Sequence, residues 1–171
     1  MPGKFAAETD VPVVNTKGDI EKQLIRYGAS GFGYMTQGRV NAVMFEMHDR
    51  RIILRVELPD PTSREMTTHL RSGNQLTSRT DLERRASQVE RQRWRALLMV
   101  IKAKLESVES GIETFEEAWL THIVLPSTGQ TYGEFAIPQL AEVYRTHENP
   151  PMIPGVVNAR IIELGERTGS T

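Results

Sequence analysis

Cationic side chains at helical spacing are the residues of this chain best placed to do chemistry. Thr80 to Ile112 reads as one long helix, and at 100° per residue Arg84, Arg91, Arg95 and Lys102 fall within about 40° of one another along it. Arginine outnumbers lysine there. A guanidinium can hold a phosphate through two parallel hydrogen bonds or stack on a base, where an ammonium is a point charge. Arg79 stands just before the helix, and Arg51 and Arg55 share the outward side of a strand. These seven cations are the candidate surface for a polyanion, with single-stranded nucleic acid as the expected partner. Beside them Trp94, Leu98, Ile101, Leu105, Val108 and Ile112 step by four, three, four, three and four, which makes an apolar helix seam. The stripe then turns acidic at Glu106 and Glu109. A basic half followed by an acidic half suits antiparallel pairing with a second copy, so a homo-oligomer is expected.

The other constellations are weaker. His48, His69, His122 and His147 are scattered without the i, i+4 spacing that puts two metal ligands on one helix face, and no metal or other cofactor is expected. Glu116 and Glu117 point about 100° apart on a helix and cannot share a proton or an ion. No phosphate-cradling GxxxxGK[ST] occurs, and Gly28, Gly31 and Gly33 lack dinucleotide spacing. Ser30, Ser78 and Ser110 have no His/Asp context that would activate them. Glu21, Glu46, Asp49 and Glu57 lie on a helix and hairpin where a nuclease-like acidic site could form, against the simpler reading of a polar sheet face with cross-strand ion pairs. No catalytic residue is assigned, and a non-enzymatic chain is expected.

Composition sets the frame. The 171 residues suit one sizeable domain; 39% are hydrophobic and 25% charged, which fits neither a disordered tract nor a membrane protein. No apolar run approaches a membrane span, MPGKFAAETD lacks the apolar core of a signal peptide, and no membrane association is expected. The absence of cysteine removes disulfides, thiolate catalysis and thiolate zinc sites together. The net charge of −1 conceals three blocks. Residues 1–63 carry 8 Lys/Arg and 8 Asp/Glu, residues 64–104 carry 10 and 4, and residues 105–171 carry 3 and 10. A +6 middle followed by a −7 end implies either a polyanion partner or pairing between middle and end, within a subunit or between subunits.

The elements that must position these residues form an α+β domain, a three-stranded antiparallel meander packed on one long α-helix with shorter N- and C-terminal helices. Residues 1–15 read as an arm, residues 16–148 as the domain, and residues 149–171 as a tail. Thr16 and Asp19 predict a cap for a helix over Asp19–Tyr27. Strands are expected at about 32–36, 39–47 and 51–58, the last with Ile52, Leu54, Val56 and Leu58 inward and Arg51, Ile53, Arg55 and Glu57 outward. Residues 62–79 read as a mobile basic loop with a short helix near 64–70. Thr80 with Glu83 predicts the cap of the long helix and Gly111 its left-handed end. Thr114 with Glu117 predicts a shorter helix, and His122–Leu125 an extended segment. Pro138 predicts the start of a last helix over 138–146.

Five stretches carry a family resemblance: AAETDVPV at 6–13, EKQLIRYGASGFGY at 21–34, ELPDP at 57–61, ERQRWRALLMVIKAKLESVESGI at 90–112 and FEEAWLTHIVLP at 115–126. Together they resemble a family of proteins encoded by tailed bacteriophages. That resemblance implies work in the cytoplasm of an infected bacterial host and transfers no catalytic residue. In topology alone, the order helix, meander, basic loop, long helix is similar to the core of RecT-type single-strand annealing proteins. Two functions follow as expectations: a phage protein of DNA metabolism that binds single-stranded nucleic acid and self-associates, or a protein-interaction module, such as a host-takeover or anti-defence factor, that holds a host protein through the charge-split helix. A metal-dependent nuclease is the third reading.

Overall fold

The computed structural model describes residues 11–69 and 72–148. In chain order these form helix α1 (Val13–Arg26), strands β1 (Gly31–Gln37), β2 (Val40–Met47) and β3 (Arg50–Glu57), the single turn α2 (Arg64–Thr67), the long helix α3 (Arg79–Glu109), α4 (Phe115–Trp119), a 3-10 turn (Leu120–His122) and α5 (Tyr132–Thr146). The sheet is a fully antiparallel meander in the order β1-β2-β3. The fold is α+β, as expected. Of the arm expected over 1–15, residues 1–10 lie outside the described residues and Val13–Asn15 belong to α1, and the tail expected over 149–171 lies outside them.

Strand alternation decides which side of the sheet meets the helices. Phe45 pairs with Ile52 and Val43 with Leu54, and these four side chains are buried on one face with Tyr34 beside them. Against that face lie α1, through Ile20 and Leu24, and α3, through Trp94, Leu97, Leu98, Ile101 and Leu105. The rings of Tyr34 and Trp94 meet edge to face at 5.9 Å, and those of Phe45 and Trp119 at 5.1 Å. Tyr34 also donates its hydroxyl to the Lys17 carbonyl at 2.8 Å, which ties β1 to α1, and burial pushes its pKa up to about 12. The seam of α3 is thus the inner wall of one subunit. It is packed within the subunit and offers no surface to a second copy.

Several boundaries differ from the sequence expectation for physical reasons. α1 starts at Val13, six residues before Asp19, and Thr16, expected to cap it, is buried inside it. At the start of α3, Ser78 takes the cap position without a side-chain bond, and Glu83 receives Arg79 Nε at 2.8 Å instead of closing a box with Thr80. The other end follows its sequence signal. Gly111 has φ 69°, its N–H reaches the Val108 carbonyl, and the Ile112 N–H reaches Ser107, which is a complete Schellman turn. That turn throws Ile112 out of the seam, where it is 78% exposed, while Val108 stays partly buried. The seam therefore ends one turn sooner than its spacing implied.

α5 begins at Tyr132, six residues before Pro138. Thr131 and Glu134 form a reciprocal capping box, with the Thr131 N–H to the Glu134 carboxylate at 2.7 Å and the Glu134 N–H to Thr131 Oγ1 at 3.2 Å. Pro138 sits inside the helix, so the carbonyl of Glu134 loses its usual i+4 donor. The other box, Thr114 with Glu117, forms as its pattern predicts. Between the two boxes the chain runs along the free edge of β3: Ile123 bridges Ile52, and the Val124 N–H reaches the Arg51 carbonyl at 2.8 Å.

Candidate nucleic-acid interface

The seven candidate cations divide into three groups. Arg79 and Arg84 lie on the first turns of α3, where Arg79 is 92% exposed and pairs with Glu83, and Arg84 pairs with Asp81 at 3.1 Å. Both pairs join residues three or four apart on one helix and are open to water, a class worth only about 0–1 kcal/mol each. A phosphate can therefore compete for either guanidinium.

The second group, Arg91, Arg95 and Lys102, lies farther along α3, and only Arg95 of the three has an ion pair to α1. Arg95 reaches Asp19 of α1 at 3.6 Å, and farther along Tyr27 donates its hydroxyl to Glu106 at 2.7 Å. The bond to Glu106 raises the Tyr27 pKa above its ordinary value. α1 and α3 therefore run parallel, with the charged flank of α3 answered by α1. Arg91 is half-buried, whereas Lys102 is exposed with no acidic partner among the described residues.

The third group corrects an expectation. Ile52 and Leu54 face α3, so Arg51 and Arg55, one residue along on the same strand, point to the far side of the sheet. Arg51 pairs with its cross-strand neighbour Glu46 at 2.9 Å, and Arg55 with Glu134 of α5 at 2.9 Å. They do not extend the basic surface of α3.

Two arginines that the helical stripe passes over shape the basic end. Arg85 is buried, its Nε donates to the Glu65 carbonyl at 2.9 Å, and its Nη1 donates to Gln88 at 3.3 Å. Burial pulls its pKa below the ordinary guanidinium value, and the Glu65 carboxylate opposes that. Arg93 reaches the same carboxylate at 3.2 Å. Together they clamp α2 onto α3, on the side of the helix away from the seam. Two lysines also serve structure: Lys17 Nζ stands 4.6 Å from the Trp94 ring centre, and Lys104 Nζ stands 5.5 Å from that of Trp119 and donates to the Ala118 carbonyl. Both tryptophans are core residues, so neither offers a base-stacking platform. Each lysine meets a tryptophan of another helix, a contact that no linear pattern contains.

The acidic quartet does not assemble. Glu46 is held by Arg51, Glu57 lies 3.9 Å from Arg39, and Asp49 occupies a tight turn. Among the described residues no three His, Asp or Glu side chains cluster in a way that could hold a metal ion. No helix among them is long and apolar enough to cross a membrane.

Beyond the clamp, the outward side of α3 changes character. Ala96, Met99, Val100 and Ala103 are all exposed and fall on one charge-free strip opposite the seam. No family model, curated protein or solved structure matches the chain.

Proposed function

We propose that this chain is a non-catalytic phage protein of DNA metabolism that holds single-stranded nucleic acid at the basic end of α3, in the cytoplasm of the infected bacterium. The observation that supports this is the charge of residues 64–104, ten cations against four acids in the sequence, together with Arg79 and Arg84 open to solvent on the first turns of α3. With Trp94 and Trp119 in the core, contact is to phosphates, so binding is tolerant of sequence and steep in salt. The test is fluorescence anisotropy of a labelled single strand at about 50 mM salt, where electrostatic binding is strongest. Saturable binding supports the reading, and none at that ionic strength ends it.

A second reading, a protein-interaction module acting on a host protein, is favoured by a different observation. Most arginines carry an acidic partner, while Met99 and Val100 on α3 and three large side chains on α5 stand exposed without cover.

A further inference from the structure

β1 is the free edge of the sheet. The order β1-β2-β3 leaves it one neighbour, whereas β3 is continued by the bridge from Ile52 to Ile123. The Leu58 N–H bonds the Arg39 carbonyl at 2.8 Å, so the odd-numbered residues of β2 bond β3 and the even-numbered ones bond β1. The β1 partners of the even set are Gly31, Gly33, Met35 and Gln37. Phe32, Tyr34 and Thr36 therefore aim their main-chain N–H and C=O groups away from the sheet, and no described residue bonds to them. An open edge is a template for another strand, and soluble proteins blunt such edges with charge or proline. The stretch GFGYMTQ of β1 has neither. Its border is apolar too. Phe32 is 38% exposed, and Val14 and Ile25 stand out on the flank of α1 nearest β1. Lys17 marks that flank, since its carbonyl accepts the Tyr34 hydroxyl, while Asp19 on the opposite flank pairs with Arg95 of α3.

The strand is its own complement. Its outward residues are spaced evenly about Tyr34, so a two-fold axis there, perpendicular to the sheet, sets Tyr34 against Tyr34 and Phe32 against Thr36. Every outward N–H and C=O then finds a partner. No charged residue lies within 31–38, so the strand meets its copy without like-charge repulsion. The same axis brings together the exposed flanks of two α1 helices, where Val14, Gly18 and Ile25 lie within about 40° of one another. A Cβ added at Gly18 would meet nothing within 4 Å, which leaves room for close approach. The charges on that flank, Lys17 and Glu21, are one of each sign. We propose that β1 pairs antiparallel with β1 of a second copy of this chain about an axis at Tyr34, joining two three-stranded sheets into one of six strands. The inference is independent of nucleic-acid binding, which rests on α3.

A single strand edge with its flanking side chains makes a small interface, so the full chain should sediment as a dimer at about 500 µM and as a monomer at about 5 µM. Thr36→Pro removes an outward N–H and no bond to β2, and should weaken the dimer at least about tenfold. Thr36→Ala loses the hydroxyl bond to Asn41 but keeps that N–H, and should leave the dimer within about twofold of the parent. Hydrogen exchange of the unmodified chain reads the same edge without a substitution. The amides of Phe32, Tyr34 and Thr36 should exchange about tenfold more slowly at the higher concentration, while those of Gly33 and Met35, bonded to β2, stay protected at both. A chain that is monomeric at about 500 µM, or a dimer that Thr36→Pro leaves intact, would overturn the proposal. So would Phe32, Tyr34 and Thr36 amides that exchange alike at both concentrations, whether fast as on a bare edge or slow as under another part of the same chain.

Discussion

His122 carries a pH response that follows from where it sits. Burial chiefly, and then the neighbouring Lys104 charge, hold its pKa below the ordinary 6.5, against a hydrogen bond from the imidazole to the Ile53 backbone that opposes them. The unfolded chain therefore takes a proton more readily than the folded one. Stability is intact above pH about 6.5 and declines as pH falls from there toward the lower folded-state value. Thermal melts from pH 7.5 to 5 should show the midpoint falling, and His122→Gln should flatten that fall; an unchanged slope in the variant would remove His122 as the cause. Leu98 and Ile101 act at the same scale through volume. Both are fully enclosed by the sheet and α1, so Leu98→Ala or Ile101→Ala should cost about 2–5 kcal/mol in chemical denaturation. A variant as stable as the parent would be incompatible with the seam as core.

Some ends fixed by local chemistry were legible in the sequence, although the Thr80/Glu83 pattern forms no cap and the Thr131–Glu134 box was overlooked, and ends that depend on tertiary contact were not. The Schellman turn at Gly111 and the capping box at Thr114 need only neighbours in the chain, and both stand where the residues place them. α3 and the three strands follow from period. The start of α5 was hidden because Thr131–Gly133 resembles turn chemistry, and Pro138 looks like a first residue when it is an interior one. Gly133 explains why the helix starts there: its missing Cβ lets α5 cross the chain at Thr121, a closeness no periodicity reveals. Gly133→Ala should therefore destabilise the domain by about 1–3 kcal/mol, because backbone rather than a flexible tip must move. Denaturant titration would check this, and a neutral result would mean that the crossing can relax. The hairpin between β2 and β3 makes the opposite prediction. His48 and Asp49 both have positive φ, at 50° and 57°, the pair of angles a type I′ turn demands. Asp49→Gly should stabilise the protein by up to about 1 kcal/mol, and a loss of stability would show that the aspartate side chain contributes more than its backbone strain costs.

At the scale of the whole molecule, charge segregation was visible in the sequence but its placement was not. The stripe of Arg84, Arg91, Arg95 and Lys102 is continuous on a helical wheel, yet α1 runs along much of it, with Asp19 answering Arg95 and Tyr27 capping Glu106. Arg51 and Arg55 depend on strand parity, which puts them across the sheet. What stays open is one end of α3, with Arg79 and Arg84 outermost, and Lys102 farther along the helix. The same folding leaves the apolar strip of α3 and the face of α5 outside, so the molecule offers a charged region and separate apolar ones.

The salt dependence of single-strand binding tests the central claim most directly. If about four phosphates are neutralised at the basic end, the log of the binding constant falls against log salt with a slope of roughly −3. Replacing Arg79 and Arg84 together by Gln, which removes two exposed side chains and leaves the Arg85 clamp intact, should reduce that slope by about 1.4 without changing the melting midpoint appreciably. A slope near zero in the parent chain, or one that the double substitution leaves unchanged, would contradict the assignment of this surface to nucleic acid.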